Sequence, residues 1–218
     1  MENKLWIFGD SFSESYKTHH HWKLEYLDWK GYIPKIFSEI LAVDLNLTEI
    51  NLASSGSDNY TILQKVCDNV DRINPEDVII IGWSETTRFR LATSSGQWKY
   101  MRPMDLKFPN YEKYIIGLDD ISKNTLIEIF CNRGDELYKN EVRSWVQLLN
   151  HTFTKNTIIH WSPFKDVLIY NNLTNYTRIE KETNGEIWNF HYSETGHIEL
   201  AEEMKKLLIN IKVPKRLI

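Results

Sequence analysis

The stretch DVIIIGWSE at residues 77–85 decides the fold class. Its β-branched run over 78–81 is apolar at every position, so both faces of the strand that it forms must be buried. Strands of this kind occur in parallel sheets that helices cover on both sides. Glycine and polar side chains follow at 82–85. The stretch therefore predicts a central parallel strand that runs into a polar loop.

The same profile recurs before and after this strand. Apolar strand-like segments lie at 5–8, 45–52 and 157–161. Apolar residues recur at helical spacing in four further segments, 32–43, 59–73, 136–153 and 194–209. The alternation of strands and helices predicts an α/β protein, a three-layer α/β/α sandwich with a mostly parallel central sheet.

The length of the chain indicates one domain with an insertion. A chain of 218 residues buries enough apolar surface to hold a core without a metal or a disulfide. The stretch 93–135 is rich in aromatic residues and has no clean period. We expect a single domain over 1–218, in which 93–135 forms an inserted lobe or lid beside the ligand site.

Charge and cysteine usage exclude several classes of partner. The net charge of −4 creates no general attraction for nucleic acid or an anionic membrane. No segment approaches the roughly 20 apolar residues of a membrane span, and the run at 5–8 is too short for a signal peptide. Cys67 and Cys131 fit no metal spacing and are predicted to be buried free thiols. We therefore expect a cytoplasmic protein whose partners are neither nucleic acid nor membrane.

The sequence also indicates that no metal or cofactor is needed. Three consecutive histidines at 19–21 point in different directions in a loop or strand, and no second cluster completes a metal site. We expect these histidines to lie in a solvated or lid-adjacent loop.

Ligands of open α/β sheets bind outside the carboxyl ends of the strands, because the following loops converge there. The loops to inspect are therefore 9–13, 54–59, 82–85, 161–163 and 189–197. The first of them, Gly9-Asp10-Ser11, resembles the opening block of the SGNH, or GDSL, hydrolases, whose nucleophilic serine lies there. Gly56 matches the glycine of the family's second block.

The family's other two blocks are altered in this sequence. At 82–85 the chain has Gly-Trp-Ser-Glu instead of Gly-x-Asn-Asp, so that Ser84 stands in the place of asparagine. In the last block Tyr192 replaces the proline that follows the histidine, here His191. The resemblance extends over 5–209 outside the insertion and implies a flavodoxin-like SGNH hydrolase fold. The altered blocks and compact size are similar to members from phages and low-GC bacteria.

The resemblance assigns roles that the chemistry of ester cleavage requires. A serine hydroxyl becomes a good nucleophile when a neighbouring base takes its proton, and Ser11 and His191 supply that pair. Preorganised donors must stabilise the negative charge that develops on the carbonyl oxygen. The N–H groups of Ser11 and Gly56 are the candidates, with Ser84 or Asn59 as a third donor.

The group that orients the histidine is left open by the sequence. The family has aspartate three residues before the histidine, but Asn189 lies two residues before His191, and Glu186 is the nearest upstream carboxylate. An alternative register makes His197 the base, with Glu194 three residues before it. We favour His191 because His197 falls inside the last predicted helix, where the family has a non-catalytic histidine.

Two residues near the third strand are candidate substrate contacts. Trp83 belongs to a set of aromatic residues that suit a sugar ring or an acyl chain, and the planar guanidinium of Arg88 suits an anionic group. The sequence thus favours a serine esterase for a small-molecule or carbohydrate ester, without a cofactor and of undetermined oligomeric state. The alternatives are a weakly active or inactive carbohydrate- or acyl-binding module, and an acyltransferase that uses the same acyl-enzyme.

Overall fold

The computed structural model describes residues 3–18, 20–86, 88–92, 98–101, 124–125, 128, 135–164, 173–175 and 192–212. The strands in these ranges are β1 Lys4–Phe8, β2 Thr48–Asn51, β3 Val78–Gly82, β4 Phe89–Ala92, β5 Trp98–Met101, β6 Thr157–Ser162 and β7 Leu173–Asn175. The longer helices are α1 His20–Lys30, α2 Phe37–Leu45, α3 Asn59–Cys67, α4 Asp135–Thr152 and α5 Glu194–Lys212.

Five strands form one parallel sheet in the order β2-β1-β3-β6-β7. The chain moves outward from β1 to β2 and then crosses to the other side of β1 to form β3. The order therefore reverses at the β1/β3 boundary, as it does in flavodoxin-like sheets. The predicted fold class is confirmed. The reversal also marks the place where ligands of such sheets bind, outside the carboxyl ends of β1 and β3.

Each face of the sheet packs against a different pair of helices. Along β1, Leu5 and Ile7 face α2 and α5, while Trp6 and Phe8 face α3 and α4. All four side chains have no exposed surface. Because successive side chains of a strand point to opposite faces, a strand covered on both sides must be apolar at every position, which explains the β-branched run of β3.

Several predicted boundaries differ from the observed elements. The helix expected over 32–43 begins at Phe37, where the Glu39 side chain accepts the Ile36 N–H at 3.0 Å. The helix expected over 59–73 ends at Cys67 and is followed by a separate 3-10 turn, Val70–Arg72. Cys67 is exposed, so the prediction that it is buried was wrong. Cys131 lies outside the described residues.

Helix α1 was not predicted from the sequence. The histidine stretch was expected to be a loop, but His20 and His21 begin this helix. Its leucines, Leu24 and Leu27, are largely exposed, while Tyr26 packs against Tyr16 in a small aromatic cluster. Because the aromatic face and the aliphatic residues do not coincide, the segment shows no clear helical period.

The predicted insertion lies mostly outside the described residues. Its described part includes β5, which pairs antiparallel with β4 in a two-stranded sheet that starts just before the insertion. No helix in the described ranges is long and apolar enough to cross a membrane.

Candidate active site at the carboxyl ends of β1, β2 and β3

Ser11 lies in a tight turn that starts where β1 ends. The Asp10 carbonyl accepts the N–H groups of Ser13 at 3.0 Å and Glu14 at 3.1 Å, so Ser11 begins a single helical turn. Asp10 caps this turn, because its Oδ1 accepts the Phe12 N–H at 3.1 Å. The capping role that a serine takes in many such turns therefore belongs to Asp10. The Ser11 N–H lies at the amino end of this turn.

Gly56 lies in the turn that follows β2. Ser57 N–H donates to the Ser54 carbonyl at 3.2 Å and closes a four-residue turn, 54–57. Gly56 has a φ of 80°, which is the value at the third position of a type II turn and favours glycine there. The Gly56 N–H is not needed to close the turn, and it donates to none of the residues that the structure describes. Gly56 therefore offers a backbone donor at the carboxyl edge of the sheet.

Two glycines allow the loops after β1 and β3 to approach each other. A Cβ at Gly9 would lie 2.5 Å from Ser13 Oγ, and a Cβ at Gly82 would lie 2.6 Å from the same atom. A Cβ at Gly9 would also lie 2.8 Å from Ser13 Cβ, and a Cβ at Gly82 would lie 2.9 Å from Trp161 Nε1. Real Cβ atoms do not approach other heavy atoms so closely, so the absence of a side chain at both positions lets the Ser13 side chain pack between the two loops.

Asp10 connects the loops after β1 and β3. Its side chain is 1% exposed, and Oδ2 accepts the Ser84 hydroxyl at 2.7 Å. The guanidinium of Arg88 lies 3.5 Å from the same oxygen. Burial raises the pKa of the Asp10 carboxyl, and the charge of Arg88 with the hydrogen bonds from Ser84 and Phe12 opposes that rise. From the sequence, Asp10 was identified only as a motif residue, and its role as this connection was missed.

Arg88 also binds the loop after β2. Its Nη1 donates to the Ser57 carbonyl at 3.2 Å, and its side chain remains 14% exposed. The structure therefore places this candidate substrate contact between Asp10 and the Gly56 turn. An acidic turn residue after β1 and an arginine shortly after β3 were the sequence signals for this pairing.

Ser84 and Asn59, the two candidates for a third oxyanion donor, bind each other. The Ser84 N–H donates to Asn59 Oδ1 at 2.6 Å, and Asn59 Nδ2 donates to the Ser84 carbonyl at 3.0 Å. The Ser84 hydroxyl donates its one hydrogen to Asp10 Oδ2. Asn59 Nδ2 has a second hydrogen, and it donates to none of the described residues. Of the two side chains, Asn59 is therefore the one with a donor to spare.

Lys65 supports the β2 loop from helix α3. Its ammonium donates to the Leu52 carbonyl at 2.9 Å and to Ser54 Oγ at 2.5 Å. Burial lowers the pKa of Lys65, and the negative charge of Glu14 opposes that change. Glu14 in turn accepts the Ser55 N–H at 2.7 Å. These contacts hold the Gly56 turn against both the Ser11 turn and α3.

Trp83 does not line the cleft. Its side chain has no exposed surface and belongs to the core between the sheet, α3 and α4. The indole N–H donates to His160 Nδ1 at 3.2 Å, and the Trp83 ring stacks on Trp145. The prediction that Trp83 contacts substrate was wrong, because its side chain points into the core. Burial lowers the pKa of His160 to about 3, so this histidine is neutral at physiological pH.

His197, the alternative base, has both ring nitrogens engaged. The Phe37 N–H donates to Nδ1 at 3.3 Å, so the proton of the neutral ring lies on Nε2. Nε2 lies 2.9 Å from the Tyr16 hydroxyl, which donates to the Tyr192 carbonyl at 3.1 Å. His197 is 2% exposed. The ring thus anchors the first turn of α5 to Phe37 and Tyr16.

Glu194, the acid of that alternative register, forms a separate contact at the start of α5. Its Oε2 accepts the Tyr32 hydroxyl at 2.7 Å and the Lys30 ammonium at 3.1 Å. Burial alone would raise the pKa of Glu194, but these two hydrogen bonds and the charge of Lys30 lower it overall.

The remaining site candidates, His191, Asn189 and Glu186, lie outside the described residues. Within the described residues, no group of three or more His, Cys, Asp or Glu side chains could hold a metal ion.

Comparisons with known proteins add a similarity to solved structures. No protein-family model matches the chain, and no curated protein matches it significantly. Among solved structures, it is similar to a carbohydrate esterase whose active site displays divergent catalytic and non-catalytic binding functions. The two chains are 13% identical with a TM-score of 0.44, and the alignment covers 98% of this chain and 69% of the esterase. The function of this protein therefore has to be inferred from its own residues.

Proposed function

We propose that the protein is a serine esterase of the SGNH type that hydrolyses small acyl esters, including O-acetyl groups on carbohydrate. The observation that carries the proposal is the convergence of three loops at the reversal of strand order. Ser11 and Gly56 lie in the loops after the neighbouring strands β1 and β2, and Asp10 hydrogen-bonds across to Ser84 after β3. A serine and backbone donors on loops that meet at one edge of the sheet are the groups that acyl transfer requires.

In the proposed reaction, Ser11 Oγ attacks the ester carbonyl carbon and His191 takes the hydroxyl proton. The N–H groups of Ser11 and Gly56, with Asn59 Nδ2 as the third donor, stabilise the oxyanion. The carbon–oxygen bond to the alcohol then breaks, and His191 protonates the leaving oxygen. Water attacks the acyl-serine with His191 as the base, which releases the acid and regenerates Ser11.

The imidazolium that forms in each step needs a partner for its other nitrogen. We assign that role to Asn189, which can accept the imidazole N–H and fix the tautomer, with Glu186 as the alternative that would also supply a charge.

The test is covalent labelling combined with turnover. A fluorophosphonate probe is expected to label the wild-type protein at Ser11, and Ser11→Ala is expected to lose at least about 10³-fold in hydrolysis of p-nitrophenyl acetate. Ser144→Ala, which changes an exposed serine on α4, is the matched control and should label and turn over normally. Unchanged hydrolysis by Ser11→Ala would exclude the proposed nucleophile.

A second candidate function is a carbohydrate- or acyl-binding module with little or no turnover. It is favoured by the Ser84 hydroxyl, which is bound to Asp10 and so supplies no third donor. This alternative predicts binding of an acetylated oligosaccharide that Ser11→Ala does not alter, with no hydrolysis of any ester tested. An acyltransferase would instead show products in which an added sugar or alcohol outcompetes water for the acyl group.

A further inference from the structure

The Gly56 turn is held at both of its ends. The Ser54 N–H donates to the Gly9 carbonyl at 3.1 Å, which ties the first residue of the turn to the end of β1. Arg88 Nη1 donates to the Ser57 carbonyl at 3.2 Å, which ties the last residue to the segment after β3. Glu14 Oε2 accepts the Ser55 N–H at 2.7 Å and Lys65 holds Ser54 Oγ, but of these side chains only Arg88 binds the carbonyl of the residue that follows Gly56. The Arg88 contact therefore helps to determine where the Gly56 N–H points.

Arg88 is itself fixed by the residue that precedes Ser11. Its guanidinium lies 3.5 Å from Asp10 Oδ2, and the same carboxylate caps the turn that begins at Ser11. Asp10 is 1% exposed and the Arg88 side chain 14% exposed, so the pair is largely shielded from solvent. This ion pair therefore connects the Gly56 turn to the Ser11 turn.

We propose that Asp10 and Arg88 are positioning residues that align the Gly56 N–H with the oxyanion formed at Ser11. The inference rests on the proposed esterase function and extends it to a pair that contacts no reacting atom. Oxyanion contacts strengthen in the transition state, so a displaced donor lowers kcat and leaves KM nearly unchanged. A displacement of about 1 Å can cost about 10²-fold.

The first experiment compares Arg88→Ala with Arg72→Ala in hydrolysis of p-nitrophenyl acetate. Arg72 is a matched control, since it also donates to a loop group, Asn69 Oδ1 at 2.6 Å, but lies on the 3-10 turn away from the Ser11 turn. We expect Arg88→Ala to lose about 10- to 100-fold in kcat with KM changed less than about threefold. Arg72→Ala should keep the wild-type kcat.

Chemical rescue separates positioning from a general structural role. Because the Arg88 side chain is 14% exposed, guanidinium can enter the space that Arg88→Ala leaves beside Asp10. Millimolar guanidinium chloride is expected to restore part of the kcat of Arg88→Ala and to leave Arg72→Ala and the wild type unchanged. If Arg88→Ala does not fold, Arg88→Lys serves instead, with an intermediate kcat and a normal KM expected.

A double-variant cycle tests whether Asp10 acts through the same contact. Asp10→Asn should lower kcat and leave KM nearly unchanged. The double variant, Asp10→Asn with Arg88→Ala, should lose no more kcat than the more impaired single variant, because both substitutions remove the same Asp10–Arg88 contact. Normal kcat in Arg88→Ala beside an active wild type would overturn the positioning role alone. The positioning role would also be overturned if the kcat losses of the two single variants multiplied in the double variant. It would be overturned as well if Arg88→Ala changed only KM and guanidinium restored nothing. A wild type that turns over no ester would overturn the esterase proposal and this inference together.

Discussion

The sheet carries a buried aspartate at each end, and the two are used differently. At the amino end, Asp77 accepts the Lys4 N–H, the Trp6 indole N–H and the Asn74 N–H, each at 2.9 Å. At the carboxyl end, Asp10 accepts one backbone N–H and a hydroxyl and pairs with an arginine. Both side chains are 1% exposed.

The difference lies in what each carboxylate connects. Asp77 joins β1 to the start of β3: two of its partners, Lys4 and Trp6, belong to β1, and the third, Asn74, lies in the turn that leads into β3. Asp10 joins turns that no ladder of hydrogen bonds supports, and one partner, Arg88, reaches the surface. A charge buried among sheet donors stabilises the fold, whereas a charge buried among loop donors holds the groups that would meet a substrate. This contrast makes the two carboxylates separable by experiment.

The largest expected effect is the loss of stability in Asp77→Asn. An amide retains one acceptor oxygen, so at least one of the three buried donors loses its partner, at about 1–3 kcal/mol for each. The free energy of unfolding, measured by urea denaturation, should fall by about 2–4 kcal/mol, while kcat of the folded fraction stays at the wild-type value.

The control for this variant is Asp44→Asn. Asp44 pairs with Lys205 on the surface, where both side chains are 41% exposed, and such pairs contribute less than about 1 kcal/mol. If Asp77→Asn kept full stability and lost kcat, the assignment of the amino-end aspartate to the fold would be wrong.

The two ends also differ in how far sequence could predict them. The central strands were located because a continuous apolar run has one interpretation in an α/β protein, and the Ser11 and Gly56 loops followed from the position of strand ends. The pairing of Asp10 with Arg88 had a signal in the positions of the two residues after strand ends, but the connection through Ser84 had none, because Ser84 lies more than 70 positions from Asp10 and comes close only after folding. Trp83 was misplaced for a related reason, since one residue of register decides between cleft and core.

His160 tests the same contrast, because it is a buried polar side chain whose partners belong to the core and not to the loops of the site. It lies on β6 near the carboxyl end, yet its partners, the Trp83 indole and Asn150 Oδ1 at 3.2 Å, belong to the core and α4. Its folded pKa of about 3 lies below the unfolded value of 6.5. Below pH 6.5 the unfolded chain therefore binds a proton that the folded chain does not, and stability decreases as pH falls toward 3.

The expected size follows from that linkage. His160 should contribute a loss of about 2 kcal/mol between pH 7 and pH 5, and His160→Gln should abolish that part of the pH dependence measured by urea denaturation. His151→Gln, which changes an exposed histidine on α4, should keep the wild-type profile. A profile for His160→Gln as steep as that of the wild type would show that His160 takes up its proton in the folded state.

The smallest expected effect is that of Glu194→Gln, which tests whether the functional region includes the first turn of α5. Glu194 lies at the start of α5, close in sequence to His191, but its contacts are Lys30 and Tyr32 at the surface. Glu194→Gln keeps an acceptor for both donors and loses an ion pair whose side chains are 15% and 31% exposed, so the cost should be under about 1 kcal/mol. kcat and KM for p-nitrophenyl acetate should match those of Glu203→Gln, the same change on the exposed face of the same helix. A loss of kcat in Glu194→Gln alone, with stability intact, would place Glu194 among the groups that act on the catalytic histidine and would extend the functional region to the first turn of α5.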